Sequence, residues 1–385
     1  MENRILFVYI NKFKDYSILY EYCTILQSKG NQVYYLGISD EEEHYQDSSG
    51  VIVYHAKRSD VKSRYSFSKY FNYLLKKLKP ELVHVFQFRG CMLLPLGSFF
   101  SSTFVLDVRS VHVVSKNGKH SILTPLKNRL TWFESLFFVN CIALTNEIKR
   151  MLMPSFRSIP IIPLGANISK FSPSNSTMKK QEVRTLLGLP EDSQILLYSG
   201  TINPIRRIHL LIESFKLVTT KTNNLYLIIA GHDADNPDTL TELKELSIKL
   251  MVENQILFTG FLQYDKLIQY FMASDIGLCY VPQVPYFDKQ PPTKLFEYLA
   301  ADLIAISTKT TVAQSIIEDG VNGFLEEDGV EKYASSIFKV VNMQSEERQQ
   351  VIDASKIMLE KHSWNYIIET HLCQYYLELG LKVQC

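Results

Sequence analysis

Short apolar runs rich in β-branched and aromatic residues recur along the chain, separated by longer stretches whose apolar positions return every three or four residues. In the first half the runs are ILFVYI from Ile5, QVYYLGI from Gln32, VIVYHA from Val51, LVHVFQF from Leu82, TFVLDV from Thr103 and CIALT from Cys141. Between the first two lies SILYEYCTILQSKG, which places Leu19, Tyr22, Cys23 and Leu26 on one helical face and stops at Gly30. Near-continuous apolar strands alternating with amphipathic helices are what a parallel sheet covered on both faces requires, so this half predicts a doubly wound α/β domain. The alternation pauses at FSPSNSTMKKQE from Phe171, a polar stretch that reads as a linker. It resumes with ILLYSG from Ile195, LYLIIAG from Leu225, QILFTG from Gln255, IGLCYVP from Ile276 and LIAIST from Leu303. The expected organisation is a Rossmann-like domain over 1–173, a linker over 174–182, a second Rossmann-like domain over 183–364 and a final amphipathic helix over 365–385. Two such sheets in series put a cleft between them, and their ligands bind at the carboxyl ends of the strands.

Composition changes this picture little: 46% hydrophobic and 21% charged residues are ordinary for a globular protein. No apolar run reaches the ~18 residues that cross a bilayer, and MENRILFVYI reads as a first strand rather than a signal peptide. The six cysteines are scattered, with no metal-ligand spacing, and read as buried small hydrophobes in a reducing, cytoplasmic compartment. Charge is more informative. Residues 1–180 carry a net +11 and residues 181–385 a net −10 behind the overall +1, so the first half suits an anionic partner such as a phosphate-linked acceptor or a lipid headgroup surface. The loop after the first strand, NKFKDYS, has no GxGxxG, which disfavours a dinucleotide-dependent dehydrogenase. Nothing beyond basicity points to nucleic acid.

The candidate chemistry lies in the second half. In YSGTINPIRRIHLLIESFKLV a strand ends at Gly200, a short loop through Thr201 follows, and a helix is expected to start near Arg206. A glycine turn beside a helix N-terminus with Arg206 and Arg207 suits a diphosphate, because backbone N–H groups, the helix dipole and the planar guanidinium all favour phosphate oxygens. In PPTKLFEYLAADLIAIST, prolines and Thr293 mark a second helix start, with Lys294 and Glu297 one turn apart. From spacing alone, Glu297 is either a ribose-binding carboxylate or a dipole-stabilising acid paired with Lys294. The one D-x-D, Asp233 and Asp235, reads as a solvated turn rather than a metal site.

These stretches, with GFLQYDKLIQYFMASDIGLCYVP and IIEDGVNGFLEED in this order, resemble the retaining glycosyltransferases of family 4, which have the GT-B fold. The likeness covers the second half and continues more weakly in KPELVHVFQF, VLDVRS, CIALTNEIKRML and IPLGANISKFSP. It implies a metal-independent, hexosyltransferase-like enzyme of polysaccharide or glycoconjugate biosynthesis that uses a UDP- or GDP-sugar. It also implies that the final helix packs back on the first domain. Arg206 matches the family's diphosphate-binding basic residue, with Thr201 where a second basic residue often stands. Glu297 matches the second, ribose-binding acid of the family's E-x7-E motif. The first acid falls at Lys289, with Asp288 one residue away, which puts recognition of the transferred sugar in question. A catalytically weak subunit that binds nucleotide-sugar or stabilises a partner enzyme is therefore the alternative.

On the acceptor side, VLDVRSVHV places Asp107, Arg109 and His112 at a strand end of the basic domain. Arg109 is read equally as an acceptor contact or a salt-bridge partner, and His112 as structural. Two basic, aromatic stretches, from Ala56 and from Ser115, either pack on the sheet or lie against an anionic leaflet near a polyprenyl-linked acceptor.

Overall fold

The computed structural model describes residues 3–61, 63–97, 102–110, 124–152, 158–173, 178–284, 287–288 and 293–385. The chain divides into two compact units, Met1–Gly165 with Trp364–Cys385, and Ala166–Ser363.

Among the described residues the first unit is built on seven strands: β1 (Arg4–Val8), β2 (Gln32–Ser39), β3 (Glu43–Gln46), β4 (Ile52–Lys57), β5 (Leu82–Phe86), β6 (Thr103–Val108) and β7 (Asn140–Ala143). Their order is β3-β4-β2-β1-β5-β6-β7, parallel throughout except for β3 against β4. The central strands are buried on both faces, as in β5, where all five residues are buried. The helix Ser17–Ser28 buries Leu19, Tyr22, Cys23 and Leu26 against this sheet's core. The hydrophobic runs do not reveal β3: its EHYQ is a polar edge whose pairing comes from its neighbour rather than from its own burial.

The second unit carries β8 (Gln194–Ser199), β9 (Leu225–Ala230), β10 (Ile256–Gly260), β11 (Ile276–Cys279), β12 (Ile304–Thr308) and β13 (Phe324–Glu326). The order β10-β9-β8-β11-β12-β13 is parallel in every pair. The chain proceeds outward from β8 to β10, then returns to the other side of β8 with β11. The sheet's switch point therefore lies between β8 and β11, where a doubly wound sheet opens a crevice at its carboxyl ends. Leu196, Leu211, Phe215, Leu227, Leu278 and Ile306 belong to one continuous core beneath it.

The contact boundary differs from the one read in the sequence. Residues 166–173 group with the second unit, and the helix Lys180–Leu187 begins inside the expected linker. Its start is set by Glu182, whose carboxylate accepts the Lys179 N–H at 2.8 Å. Residues 174–177 of that linker lie outside the described residues.

Trp364–Cys385 belongs to the first unit and is helical through Glu378, with a π-helical stretch at Ile368–Cys373. Trp364 stands edge-on to Tyr22 at 5.8 Å, and Asn31 exchanges hydrogen bonds with the Gln384 backbone at 2.7 and 2.9 Å. Tyr376 reaches His84, at 2.6 Å from Nδ1. Because the other ring nitrogen faces the Asp107 carboxylate at 3.3 Å, Nε2 carries the proton and Nδ1 accepts from the tyrosine hydroxyl. Among the described residues no helix is long and apolar enough to cross a membrane. All six cysteines are free thiols, buried except for Cys385.

Tyr376→Phe keeps the ring but leaves His84 Nδ1 buried without a donor. It is expected to cost about 1–3 kcal/mol, read as a lower urea midpoint of the first unit by circular dichroism.

Candidate functional site

The carboxyl end of β8 is shaped by two close approaches. Gly200 has φ +134°, a conformation L side chains rarely adopt, and its N–H donates to the Ala230 carbonyl at 2.9 Å. Beside it, a Cβ on Gly231 would lie 1.8 Å from the Gly200 carbonyl oxygen, so only glycine fits there. The buried Tyr198 hydroxyl donates to the Thr201 carbonyl at 2.8 Å and holds the loop closed over the strand end. The chain then makes a 3-10 turn, Pro204–Arg206, passes through a left-handed Arg207 at φ +52°, and enters the helix Ile208–Thr219. Arg206 therefore stands just before this helix, which starts two residues later than the sequence suggested.

The second element is the helix Thr293–Ala300. Leu295, Phe296, Tyr298 and Leu299 are buried, and the Tyr298 hydroxyl accepts the Ser199 N–H at 2.8 Å, which ties the helix to the end of β8. Lys294 and Glu297 are left on the less buried face. With Gly200, Thr201, Arg206 and Phe287 they line a cavity of about 290 Å³ contained within the second unit.

The charges in this cavity are not paired off. Arg206 has its guanidinium carbon 4.2 Å from the Phe287 ring centroid, and Lys294 has Nζ 3.9 Å from that of Tyr198. Neither makes an ion pair with a carboxylate among the described residues. Burial pushes Lys294 down to about 8, and the neighbouring Arg206 adds to the effect. Burial likewise pushes the Glu297 carboxyl up to about 7, against the opposing pull of Lys294. Two aromatic-backed cations beside an open backbone turn suit an anion, and an anion bound there would favour the charged form of Lys294.

The structure brings together Gly200, Thr201, Arg206, Lys294 and Glu297, and leaves out other residues singled out in the sequence. Arg207 does not line the cavity: it pairs with Asp328 at 3.3 Å, a carboxylate that also takes the Tyr280 hydroxyl. Asp107 and Arg109 are committed to each other inside the first unit. Arg109 Nε lies 2.7 Å from Asp107 Oδ1, Nη2 donates to Oδ2 at 2.8 Å, and Nη1 donates to the Ile162 carbonyl at 2.9 Å. Burial would raise the Asp107 carboxyl, but Arg109 and His84 hold it below the usual range. Of the two readings of Arg109, the salt bridge is the one the geometry supports. His112 and Lys289 lie outside the described residues. Asp288 spends its carboxylate on Thr311, from whose N–H and hydroxyl it accepts at 2.9 and 2.6 Å. Asp233 closes a turn, accepting from the Asp235 N–H at 3.1 Å and the Thr239 hydroxyl at 3.0 Å. The aromatic residues Tyr198, Phe287 and Tyr298 went unread as site residues. Tyr198 and Tyr298 sit in apolar runs that signal only a core, and Phe287 sits in a loop with no periodicity.

The sequence model of the family described as glycosyl transferases group 1 matches residues 179–358, which hold every residue of the cavity. The family likeness therefore falls on the segment that carries the cavity. Over 220 residues the chain is 24% identical to the lipopolysaccharide 1,2-N-acetylglucosaminetransferase of Salmonella typhimurium, covering 55% of each. The chain spans about half the length of such curated relatives. A glycosyltransferase from Rickettsia africae ESF-5 superposes with a TM-score of 0.75 at 17% identity, covering 98% of this chain and 99% of that one. Anabaena Alr3699/HepE, solved in complex with UDP, superposes with a TM-score of 0.71 at 16% identity, covering 97% and 100%. The fold is GT-B, with two parallel-sheet Rossmann-like units.

The raised Glu297 carboxyl gives a signed pH dependence. Its proton is held more tightly in the folded state, so the stability it contributes is full below about pH 4.5 and lost as pH rises through about 7. In the ligand-free protein, Glu297→Gln is expected to leave the melting temperature unchanged at pH 4.5 and to raise it by a few degrees at pH 8. Thermal unfolding at the two pH values checks this.

Proposed function

We propose that this protein is a glycosyltransferase that moves a hexosyl group, with retention and without a metal, from a nucleotide-sugar to a glycan or polyprenyl-linked acceptor. The donor is a UDP- or GDP-sugar, and the setting is polysaccharide or glycoconjugate biosynthesis on the cytoplasmic side of a membrane. The observation that carries this reading is the cavity in the second unit, where Arg206 and Lys294 face an open glycine turn with no carboxylate ion partner among the described residues. It is supported by the UDP complex of the HepE neighbour.

In this reading Arg206, Lys294 and the N–H groups of the Gly200–Thr201 turn receive the donor diphosphate, and Glu297 accepts hydrogen bonds from the ribose hydroxyls. During transfer the bond from the anomeric carbon to the diphosphate oxygen breaks and a bond to the acceptor oxygen forms on the same face. The proton of the acceptor hydroxyl passes to the departing phosphate. Charge grows on the diphosphate as that bond breaks, so fixed cations there stabilise the transition state more than the ground state. Arg206 and Glu297 are the catalytic pair on this account.

Attachment at an anionic leaflet is favoured by one face of the first unit. On the helix Thr124–Ser135, Leu126, Leu130 and Phe133 follow helical spacing and stay exposed beside exposed Lys127 and Arg129. The second reading, a catalytically weak subunit, is favoured by a different observation: position 289 is lysine, and the adjacent Asp288 carboxylate is taken by Thr311.

Thermal unfolding in the presence of UDP, GDP, CMP, ADP or NAD tests the donor site. Ligand at ~100 times its dissociation constant adds about 2.7 kcal/mol, so UDP or GDP is expected to raise the melting temperature by several degrees, and Arg206→Ala to remove most of that rise. Equal response to no nucleotide at all would sink the transferase reading. Co-sedimentation with anionic vesicles at low salt, lost in Leu130→Asp/Phe133→Asp, is the expected outcome for the membrane contact.

A further inference from the structure

Two adjacent arginines at the end of the 3-10 turn are held in opposite ways. Arg207 reaches Asp328 through Nη1 at 3.3 Å, whereas Arg206 rests at 4.2 Å from the centroid of the Phe287 ring. The distinction is chemical. The five N–H donors of arginine lie in the guanidinium plane, so a carboxylate partner occupies an edge and consumes donors. An aromatic ring touches only the face: it restrains the plane and leaves every N–H unspent.

The ring is itself firmly placed. Phe287 is 2% exposed, and its N–H and that of Asp288 both donate to the Val284 carbonyl, at 2.9 and 3.0 Å. The Asp288 carboxylate then holds Thr311 by backbone and hydroxyl, at 2.9 and 2.6 Å, just beyond the end of β12. Asp288 is thus spent on anchoring the turn that carries Phe287, which is a use for this acid distinct from contact with a sugar.

We propose that Phe287 and Asp288 are positioning residues for diphosphate recognition: the Phe287 ring fixes the plane of Arg206 with its donors free, and Asp288 holds that ring in place through Thr311. This rests on the donor-site reading above. Positioning of this kind matters because a charge-assisted hydrogen bond to phosphate is directional, and a guanidinium free to rotate must be ordered each time an anion binds.

The test is a double-mutant cycle on UDP affinity, measured by calorimetry with the full chain. Phe287→Leu is expected to weaken UDP binding about tenfold in the presence of Arg206, and less than twofold in the Arg206→Ala background. Phe287→Tyr keeps the ring face and is expected to stay within twofold of the parent. Asp288→Ala leaves the ring itself intact and is expected to show the same dependence on Arg206 with a smaller first loss, so it decides the question should Phe287→Leu fold poorly. Losses of equal size in both backgrounds, or Phe287→Tyr as weak as Phe287→Leu, overturn the positioning role and leave the donor site standing. Absence of UDP and GDP binding in the parent, or an Arg206→Ala variant that binds UDP like the parent, overturns the donor reading and this inference with it.

Discussion

The contact between Gly231 and the Gly200 carbonyl is the constraint on which the second unit's cavity depends. With no Cβ at position 231, the turn leaving β8 folds across the end of β9, and the Gly200 N–H reaches the Ala230 carbonyl. That turn puts Thr201 where Tyr198 can hold it and delivers Arg206 one 3-10 turn later. The helix Thr293–Ala300 is fixed to the same strand end by Tyr298. Both halves of the cavity are therefore anchored to one backbone segment, Tyr198–Thr201, at the switch point of a parallel sheet. A site assembled on a strand end rather than on a free loop has its donors and charges held before any ligand arrives.

The charge state of the site carries a cost. A lysine and a glutamate pushed toward their neutral forms, and an arginine backed only by a ring, contribute less to folding than the same groups would in paired or solvated positions. Elsewhere in the same unit charge is satisfied in the ordinary way. Arg184 reaches Asp275 at 2.6 Å and three backbone carbonyls, tying the Lys180–Leu187 helix to the base of the sheet. Arg184 and Arg206, in one domain and one composition, thus differ in whether a carboxylate stands beside the guanidinium.

The first unit shows the reverse case. Asp107 and Arg109 stand at the end of β6, the position where a ligand contact is expected in a doubly wound sheet, yet their charges close on each other. Through His84 and Tyr376 the same network receives the C-terminal segment, and through Tyr22 it meets Trp364. It is a buried polar joint between the sheet and the returning chain. A residue's place along a strand shows which end of the sheet it occupies. It does not show whether a partner arriving from more than 250 positions away will bury it.

Much of the fold was legible in the chain because parallel strands buried on both faces must be apolar throughout, and the intervening helices must be amphipathic. Among the described residues, the runs from Ile5 to Leu303 therefore marked eleven of thirteen strands, missing β3 and β13, the polar and the three-residue edges. The glycine at 200 and the spacing of Lys294 to Glu297 were equally local, since a turn and a helical repeat are written within a few residues. What the order of residues could not express was partnership across distance. Arg206 and Arg207 are chemically identical neighbours, and the packing of Phe287 against one and Asp328 against the other separates a guanidinium without a carboxylate partner among the described residues from an ion-paired one. Backbone conformation and burial periodicity are properties of short stretches and so belong to the sequence. Which charges remain unpaired depends on which distant side chains arrive beside them, and that was decided by the tertiary structure alone.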